Sequence, residues 1–518
     1  MKSFETLSPM TSRDRPGNME SDGKTLTLCR NLTIYLGRRC LLSGVSLRVE
    51  RGRVTVLMGP SGVGKSILAD VMFGLQPTRH DKQLNISGDL GSASAEGALV
   101  FQSGGGLPHL KVSENLHLVR PSAGAITQLL KDFRLDPGQA APTLSGGQNR
   151  QLATARALLA ERSLLWLDEP AAGLDVTKVD ELCRQLQAHA SQHNIAVVVT
   201  THRAEFAVAV ADQLLFLGFG GKLVTVEPPA VSEGRTEQGQ GWQAGQAETL
   251  ETHLRTLIRP EQQPQAGVQS RRRYPLDLWG WIERILTGLY SVLVLFGWRE
   301  RGARCTLAHA FRLAAIESGF FAPFIGFIFG AIFLLIFELS FAFISTGRIL
   351  VEFGPTIVLR LSPGFAAILV AASAGSTLSS WIGQMTANRQ LDALRVLGVR
   401  VDTRIVGPAW VGMALAGVLG TFAFALALTS VFVAYLWLSG DGSMMALLQR
   451  FTIRDTGPAL AKTTLFGMLI ASVIVTCAVE PKRDASEVAS AVTRGTIRAS
   501  IAVMLLELVI LTVQFLTQ

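Results

Sequence analysis

The sequence predicts a multi-domain protein, with an N-terminal α/β domain of the P-loop class and a C-terminal all-α polytopic membrane domain. Up to about Ala230 the composition is that of a moderately charged globular domain, whereas from about Trp279 onward long uncharged apolar stretches dominate. In addition, the apolar run Val54–Met58 leads directly into the glycine-rich segment GPSGVGKS. A strand that ends in such a segment is typical of a phosphate-binding loop.

Composition divides the chain into four parts. Residues 1–25 are polar and lack the apolar core of a signal peptide, which predicts a disordered tail. Residues 26–226 form the predicted nucleotide-binding domain. Residues 227–275 are rich in Gln, Gly, Glu and Pro. Because such a segment buries too little apolar area to offset its chain entropy, we predict a linker. Residues 276–518 form the predicted membrane domain.

Charge and cysteine content narrow the range of partners. The chain has 48 basic and 40 acidic residues, a formal charge of +8. Because Lys and Arg collect in the cytoplasmic loops of membrane proteins, we expect no nucleic-acid partner. The 5 cysteines are odd in number, scattered and without CxxC spacing. This pattern predicts reduced thiols in a cytosolic domain, not a disulfide framework or a zinc site.

Several apolar segments are long enough to cross a bilayer, which takes about 20 residues at a rise of about 1.5 Å each. We expect about five crossings, with four or six as the alternatives, at 318–337, 361–387, 405–440, 463–479 and 499–515. The third segment exceeds one straight crossing, so we expect it to be tilted or broken near Pro408. The preceding run 285–298 is short for a span and predicts a helix in the membrane interface.

Between two of these spans, residues 388–399 are charged and amphipathic. Leu391, Leu394 and Leu397 recur at three-residue spacing, which places them along one helical face. A solvated loop, the alternative, has no reason to keep an apolar stripe. The spacing therefore predicts a short amphipathic helix, whose role depends on what the N-terminal domain does. Its candidate coupling residues are Leu391, Asp392, Leu394, Arg395 and Leu397.

The nucleotide site is predicted from GPSGVGKS, which fits G-x-x-x-x-G-K-[ST]. Its glycines let backbone N–H groups converge on phosphate oxygens, and the following helix adds its positive dipole end. We expect Lys65 to reach the β- and γ-phosphates of ATP and Ser66 to ligate Mg²⁺. The phosphate-binding residues are Gly59, Pro60, Ser61, Gly62, Val63, Gly64, Lys65 and Ser66.

Further motifs follow in a fixed order. The apolar strand LLWLDEP ends in Asp168, predicted to hold the Mg²⁺ shell, and Glu169, predicted to orient or deprotonate the attacking water. The others are Gln102 in VFQSGGG, the segment LSGGQ at 144–148, Asp175 in AAGLD and His202 in VVVTTHR. Together they resemble the ATPase domain of ABC transporters, over roughly residues 26–226.

This resemblance implies roles for single residues. Tyr35 matches the aromatic that stacks on adenine, with a packed strand tyrosine as the alternative, and Gln102 matches the residue that links Mg²⁺ and water to the membrane domain. Ser145, Gly146 and Gly147 match the signature that contacts the γ-phosphate of ATP held by the opposite protomer. His202 matches the γ-phosphate switch, and Asp175 helps to join the two halves. Asn149 departs from the longer polar or basic residue common after LSGGQ.

Such a site is incomplete in one chain. The sequence has one phosphate-binding loop and one signature, and in this family they act across a dimer interface. The resemblance therefore implies a homodimer with two ATP molecules between its copies.

The membrane half resembles the MlaE-like (YrbE-like) permease family over roughly residues 308–516. The resemblance is strongest at 373–399, which ends in DALRVLGV, and is supported by Pro408, ALAKTTLFG and EVASAVTRGTIRAS in their expected order. It implies an interfacial helix before about five spans, a coupling helix at 388–399, a lipid cargo and a periplasmic MCE-domain partner. Two features depart from the family: ATPase and permease are fused, and Ser380–Trp381 stands where an acidic residue is common.

Three features of the spans keep more than one reading. The small residues 371–380 serve close helix packing or line a lipid portal. Glu338 and Glu507 lie near an interface, pair with a base such as Arg498, or face a wet cavity. A set of phenylalanines lines a lipid cavity or faces the bilayer: Phe320, Phe321, Phe324, Phe327 and Phe329.

The sequence thus predicts an ATP-driven ABC transporter of phospholipid or a related lipid at the bacterial inner membrane. It is expected to be a multi-pass protein with a cytoplasmic ATPase domain, working with ATP and Mg²⁺ as a homodimer of fused half-transporters. One alternative is an ABC transporter of another hydrophobic or small solute. The other is an ATP-driven transmembrane regulator without cargo.

Overall fold

The computed structural model describes most of the chain outside its predicted tail and linker. The described residues are 24–37, 39–75, 84–91, 97–103, 105–119, 122–174, 176–226, 250, 301–317, 319–340, 345–440, 443–451, 453–482 and 484–516. The predicted tail up to residue 23, the predicted linker 227–275 apart from Leu250, the predicted interfacial helix 285–298 and Asp175 lie outside them.

The described part of the N-terminal half alternates strands and helices. Its strands are β1 (Thr25–Leu36), β2 (Arg39–Glu50), β3 (Val54–Met58), β4 (Leu84–Leu90), β5 (Gly97–Val100), β6 (Leu164–Asp168), β7 (Ala196–Thr201), β8 (Gln213–Leu217) and β9 (Leu223–Val226). Its helices are α1 (Lys65–Met72), α2 (Val112–Leu116), α3 (Ala123–Asp132), α4 (Gly146–Leu158), α5 (Val176–His193) and α6 (Ala204–Val210).

The described residues form two compact units. One consists of those within Met1–Gln102 and Glu161–Ala266, and the other of those within Ser103–Ala160 and Gly267–Gln518. The helices α2 to α4 therefore belong to the same unit as the membrane helices. The predicted boundary after residue 226 stays a prediction, because the neighbouring residues lie outside the described part of the chain.

The first unit contains two sheets. A 3-stranded antiparallel sheet has the order β2-β1-β4, and a 6-stranded sheet has the order β5-β6-β7-β3-β8-β9. The five strands from β5 to β8 run parallel, and β9 pairs antiparallel with β8. Every residue of β3 and β7 is buried, as expected for Val- and Thr-rich strands in the centre of a parallel sheet. Loops that follow β3, β5, β6 and β7 consequently share one edge of the sheet.

The second unit begins with α2, α3 and α4, which enclose a small apolar core. Val112, Leu116, Phe133 and Leu152 are buried in it. Arg156 on α4 is also fully buried, and its guanidinium donates to Asn115 Oδ1 at 3.3 Å and to the Gly105 carbonyl oxygen at 3.1 Å. Polar bonds thus tie α4 to the loop that precedes α2.

The described secondary-structure elements in the membrane half of the second unit are all helices. Its helices are α7 (Arg301–Phe311), α8 (Phe321–Ser340), α9 (Thr346–Thr356), α10 (Ser362–Ala387), α11 (Gln390–Val396), α12 (Gly407–Ser439), α13 (Met444–Gln449), α14 (Ile453–Val479) and α15 (Ala485–Leu516). π-Helical segments precede or follow these helices at Arg312–Glu317, Ile357–Leu361 and Asp402–Val406.

Among the described residues, five helical segments are long and apolar enough to cross a membrane, which confirms the predicted number. They are Gly302–Ser340, Thr346–Ala387, Asp402–Ser439, Thr456–Val479 and Ala485–Gln514. The third continues as a helix through Pro408, and the π-helical segment Asp402–Val406 stands directly before α12. The fourth and fifth helices begin before their predicted apolar stretches.

Helix α10 packs against α12, α14 and α15. Small residues allow this close packing: a Cβ at Gly375 would lie 2.9 Å from the Ile474 side chain, and Ala371 and Ala374 are buried. Helix packing therefore accounts for part of the small-residue run 371–380.

Candidate functional site

The loop after β3 has a backbone that only glycine adopts without strain. Gly62 and Gly64 have φ angles of +79° and +119°, in the left-handed region. A Cβ at Gly59 would collide with the Leu217 carbonyl oxygen of the neighbouring strand. The glycine spacing read from the sequence is thus required by the turn that leads from β3 into α1.

Lys65 lies inside this loop and is 8% exposed. Its ammonium group donates to the carbonyl oxygens of Gly59 at 2.6 Å and Pro60 at 3.1 Å. Burial lowers the pKa of Lys65, while the Glu169 and Asp168 carboxylates act in the opposite direction. A cation held by loop carbonyls is well placed to turn to a phosphate group in the same loop.

Ser66 and Asp168 meet although they are far apart in sequence. The Ser66 hydroxyl donates to Asp168 Oδ2 at 3.0 Å, and Thr200 on β7 donates its hydroxyl to Asp168 Oδ1. The pair thus presents hydroxyl and carboxylate oxygens, the donor atoms that Mg²⁺ prefers, beside the phosphate-binding loop. These residues fit a magnesium ion.

Glu169 follows β6 with a φ angle of +49°, which is strained for a residue other than glycine. It is 8% exposed, and its Oε1 lies 2.6 Å from His202 Nδ1 while its Oε2 accepts from the Thr201 hydroxyl at 3.4 Å. The predicted base and the predicted switch are therefore neighbours, oriented by the ends of β6 and β7. Thr200 and Thr201 were not singled out in the sequence, although they stand beside His202 in VVVTTHR.

Two other predicted residues of this unit lie on its surface. Gln102 is exposed, directly after β5. Tyr35 is 41% exposed on β1, opposite Cys40 of β2 and Asn85 of β4, so it is available for stacking. Asp175, the predicted dimer contact, lies outside the described residues.

The predicted signature forms the start of α4, in the second unit. Ser145 is the N-cap: its hydroxyl accepts from the Gln148 N–H at 3.2 Å, and Gln148 Oε1 accepts from the Ser145 N–H at 3.0 Å. This reciprocal capping box fixes the first turn. Gly146 is exposed, and the space that a Cβ would occupy there is open. Gly147 follows in the same turn, so the first two residues of α4 add no side chain at this end of the helix.

The predicted coupling residues lie on and just after α11. Leu391, Leu394 and Leu397 are all buried, as the spacing predicts for one apolar face. Asp392 stays closer to the surface and pairs with Arg395 at 3.0 Å. Whether this helix transmits motion stays a prediction.

Helix α11 contacts the loop that follows Gln102. The Ser103 hydroxyl donates to the Asn388 carbonyl oxygen at 3.2 Å, and Gln390 Nε2 donates to the Gly106 carbonyl oxygen at 3.1 Å. The sequence analysis missed Gln390, because this polar residue is not part of the leucine spacing that identified the other residues of α11. The glycine run in VFQSGGG was the available signal that a close contact occurs at this loop.

A second set of contacts joins the residues on either side of α2 to the membrane half. His109 Nε2 lies 2.9 Å from the Thr306 hydroxyl, and its ring stacks on His309 of α7 and meets Trp381 of α10 edge-on. Burial, and then His309, lowers the pKa of His109 to about 3, so this histidine is neutral at physiological pH. Arg404 donates to the Leu118 carbonyl oxygen at 2.7 Å.

Within the spans, Glu507 pairs with Lys462 and not with the suggested Arg498. The Lys462 ammonium lies 2.7 Å from the Glu507 carboxylate and 2.6 Å from the Arg360 carbonyl oxygen. Arg498 instead lies 3.7 Å from the Cys477 sulfur. Lysine in ALAKTTLFG was therefore the partner that the sequence analysis overlooked.

Two cavities open among the described membrane helices. The first, of about 370 Å³, is apolar and is lined by Phe311, Ala314, Val370, Ala374, Leu419 and Phe422. The second, of about 920 Å³, is lined by Thr377, Ser380, Trp381, Gln384, Val488 and Val492, among others. Of the five suggested phenylalanines, Phe320, Phe321, Phe324 and Phe327 are exposed on the helix surface, which is where lipid-facing residues lie.

Fold and site together define a P-loop ATPase carried on a polytopic membrane domain. Residues 42–172 match the family described as ABC transporter, and residues 307–513 match the family described as Permease MlaE. The aliphatic sulfonates import ATP-binding protein SsuB of Pectobacterium atrosepticum is 33% identical over 206 residues, covering 38% of this chain and 77% of its own length. SsuB of Pseudomonas putida is 32% identical over 254 residues, covering 47% and 92%.

Solved structures of ATP-binding cassettes are similar to part of the chain. A dimeric ATP-binding cassette in a post-hydrolysis state, bound to ADP and Pi, is 24% identical and covers 39% of this chain and 98% of its own, with a TM-score of 0.33. The chain belongs to the ABC transporter family, and it joins an ABC ATPase domain to an MlaE permease domain. It is a membrane protein that binds ATP and couples ATP hydrolysis to transport.

Proposed function

We propose that two copies of this chain form an ATP-driven transporter that moves phospholipid or a related lipid at the bacterial inner membrane. One observation carries the proposal: α11, which lies between permease spans, is bound to the loop that follows Gln102 of the ATPase. This contact joins a loop of the ATPase part of the sequence to the part that matches an MlaE permease. The ATPase is cytoplasmic in this proposal, and Arg389, Arg395, Arg400 and Arg404 around α11 agree with the positive-inside tendency.

The chemistry follows from the residues around the phosphate-binding loop. Lys65 and the loop N–H groups bind the β- and γ-phosphates, and Tyr35 stacks on adenine. Ser66, Asp168 and Gln102 hold Mg²⁺, which supplies positive charge to the phosphate oxygens when bound.

Glu169 orients the attacking water and accepts its proton as the bond from the γ-phosphorus to the ADP oxygen breaks. His202 and Thr201 hold the two carboxylate oxygens of Glu169, so that one orientation of this base is favoured. His202 is also the group that contacts the γ-phosphate in the proposal.

A homodimer completes the site. The single signature, Ser145 to Gly147, offers an uncrowded helix N-terminus and contacts the γ-phosphate held by the other copy. Asp175 contributes to the same interface. Since each copy supplies one loop and one signature, two ATP molecules bind between them.

A lipid cargo is supported by the permease part of the chain. The relatives named for sulfonate import match the ATPase part, which does not bind cargo in this proposal. The permease part matches MlaE, and the 370 Å³ cavity between its helices is apolar. An acyl chain gains about 0.8 kcal/mol for each CH₂ group buried in such a cavity, whereas burial of an unpaired sulfonate group there costs free energy. The family implies a periplasmic MCE-domain protein as donor or acceptor of the lipid.

The test is lipid movement in proteoliposomes that contain the full chain and fluorescent phospholipid. We expect ATP to drive lipid transfer to an external acceptor, and the Glu169→Gln variant to abolish both hydrolysis and transfer. Glu205→Gln is the matched control, because the Glu205 side chain is 81% exposed and outside the site. Transfer that persists in Glu169→Gln, or purified protein that never carries lipid by native mass spectrometry, would refute the proposal.

A further inference from the structure

The backbone N–H and carbonyl oxygen of Gly106 form hydrogen bonds with two different helices. Its N–H donates to Asn149 Oδ1 at 2.7 Å, and its carbonyl oxygen accepts from Gln390 Nε2 at 3.1 Å. Asn149 lies on α4, and its own N–H donates to the Ser145 carbonyl oxygen at 2.9 Å. A continuous series of hydrogen bonds therefore runs from the signature, through Asn149 and Gly106, to Gln390 at the start of α11.

The loop that carries Gly106 has little room to adjust. A Cβ at Gly106 would lie 2.5 Å from the Leu152 side chain, and a Cβ at Gly105 would collide with the Asn149 amide. Arg156 on α4 also holds the Gly105 carbonyl oxygen. Because tightly packed groups transmit displacement and do not absorb it, a shift of α4 moves this loop with it.

The second bond is buried. Gln390 is 6% exposed, and Gly105 and Gly106 are buried. Losing a donor at such a position leaves the Gly106 carbonyl oxygen without compensation from water. The apolar stripe of α11 supplies burial, but a bond with a defined donor and acceptor fixes the position of the helix relative to the loop.

We propose that Asn149 and Gln390 are positioning residues that link the signature to the permease through the Gly106 peptide. The inference rests on the proposed function, since it names how motion at the nucleotide site reaches α11. It also gives a role to Asn149, the residue that departs from the family pattern after LSGGQ. Its amide packs so closely against Gly105 that a Cβ there would collide with it.

The direction of each bond predicts which substitutions are tolerated. Asn149→Asp keeps the acceptor oxygen for the Gly106 N–H, whereas Asn149→Leu has a similar size and no acceptor. Gln390→Glu replaces the donor by a carboxylate that faces a carbonyl oxygen, so it breaks the second bond. The series therefore transmits motion in Asn149→Asp and fails in the other two variants.

Hydrogen exchange of the segment 388–399, followed by mass spectrometry, tests this in the full chain. All variants carry Glu169→Gln, so that ATP stays bound, and ATP affinity is measured separately. In the parent and in Asn149→Asp, we expect ATP to change the exchange rate of this segment by about threefold or more. In Asn149→Leu and Gln390→Glu, the change is lost while ATP affinity stays within about twofold of the parent, as expected when binding and coupling separate. Gln128→Leu, which removes an exposed amide from α3, is the control and keeps the response.

Three results would overturn the inference: an unchanged response in Asn149→Leu, an equal loss in Asn149→Asp and Asn149→Leu, or no response to ATP in the parent. Gln390→Glu provides a second test at the other end of the series if Asn149→Leu does not fold. The proposed function fails separately, when α11 responds to ATP in the parent but the wild-type protein transfers no lipid.

Discussion

The buried pair Lys462–Glu507 gives a prediction whose size follows from its surroundings. The Lys462 side chain is 5% exposed and the Glu507 side chain 16%, and their charged groups are 2.7 Å apart. Removal of one partner of a buried pair leaves an uncompensated charge and costs about 3–5 kcal/mol. We therefore expect Glu507→Gln to lower the free energy of unfolding by about this amount. The double variant Lys462→Met with Glu507→Leu leaves no charge behind and recovers most of the loss.

The chain offers a matched control at its surface. Arg450 and Glu352 are also 2.7 Å apart, but their side chains are 56% and 59% exposed. Exposed pairs contribute about 0–1 kcal/mol, so Glu352→Gln should change stability little. The distance is the same in both pairs, whereas the degree of burial differs strongly.

The assay is thermal unfolding of the four proteins in the same lipid nanodiscs. The expected order of midpoints is wild type and Glu352→Gln highest, the double variant next, and Glu507→Gln lowest. Equal midpoints for Glu507→Gln and Glu352→Gln would refute the reasoning from burial. A double variant no more stable than Glu507→Gln would show that the unpaired lysine is not the cause.

Two further predictions concern the nucleotide site and the loop between the fourth and fifth spans. Lys65→Ala and Ser145→Arg should each abolish hydrolysis in a homodimer. When the two variants are mixed, half of the dimers contain one copy of each and hold one intact site, so at most about a quarter of the wild-type rate returns. No recovery would contradict a site shared between two copies. Burial lowers the pKa of Lys482 to about 8 from its ordinary 10.5. Between these two pH values the unfolded chain binds more protons than the folded chain, so the free energy of unfolding rises with pH. The thermal midpoint of the wild type should therefore rise from pH 7.5 to pH 10 relative to that of Lys482→Met. A parallel change in both proteins would contradict this prediction.

Much of the ATPase site could be predicted because its residues follow strands of one parallel sheet. Asp168, Glu169 and His202 end neighbouring strands, and the sheet brings them to the phosphate-binding loop without further assumptions. The supporting threonines Thr200 and Thr201 were missed because a hydroxyl has no spacing rule until its partner is known.

Less of the membrane half than of the ATPase site could be predicted. Apolar length predicted five crossings, since each span must satisfy its backbone internally. Apolar length did not predict the start of α14. In the sequence the charge of Lys462 ends the apolar run, and only the structure shows that this charge is paired with Glu507.

The contacts of α11 were predicted only in part. Periodicity identified Leu391, Leu394 and Leu397 as one face, since helical geometry alone determines which residues lie together. It gave no indication of Gln390 or Asn149, whose partner is a backbone group of Gly106. Bonds between a side chain and a distant peptide depend on tertiary packing, which a single sequence does not specify.

The most direct test of the account is the amount of lipid moved per ATP hydrolysed in one set of proteoliposomes. Leu394 is fully buried on α11, and Leu394→Ala removes contact at the proposed route without touching the nucleotide site. Coupling energies of about 0.5–2 kcal/mol correspond to a loss of about two- to thirtyfold in this ratio. We predict such a loss in Leu394→Ala with hydrolysis retained, and an unchanged ratio in Leu436→Ala, an equally buried leucine of α12. An unchanged ratio in Leu394→Ala would contradict the account.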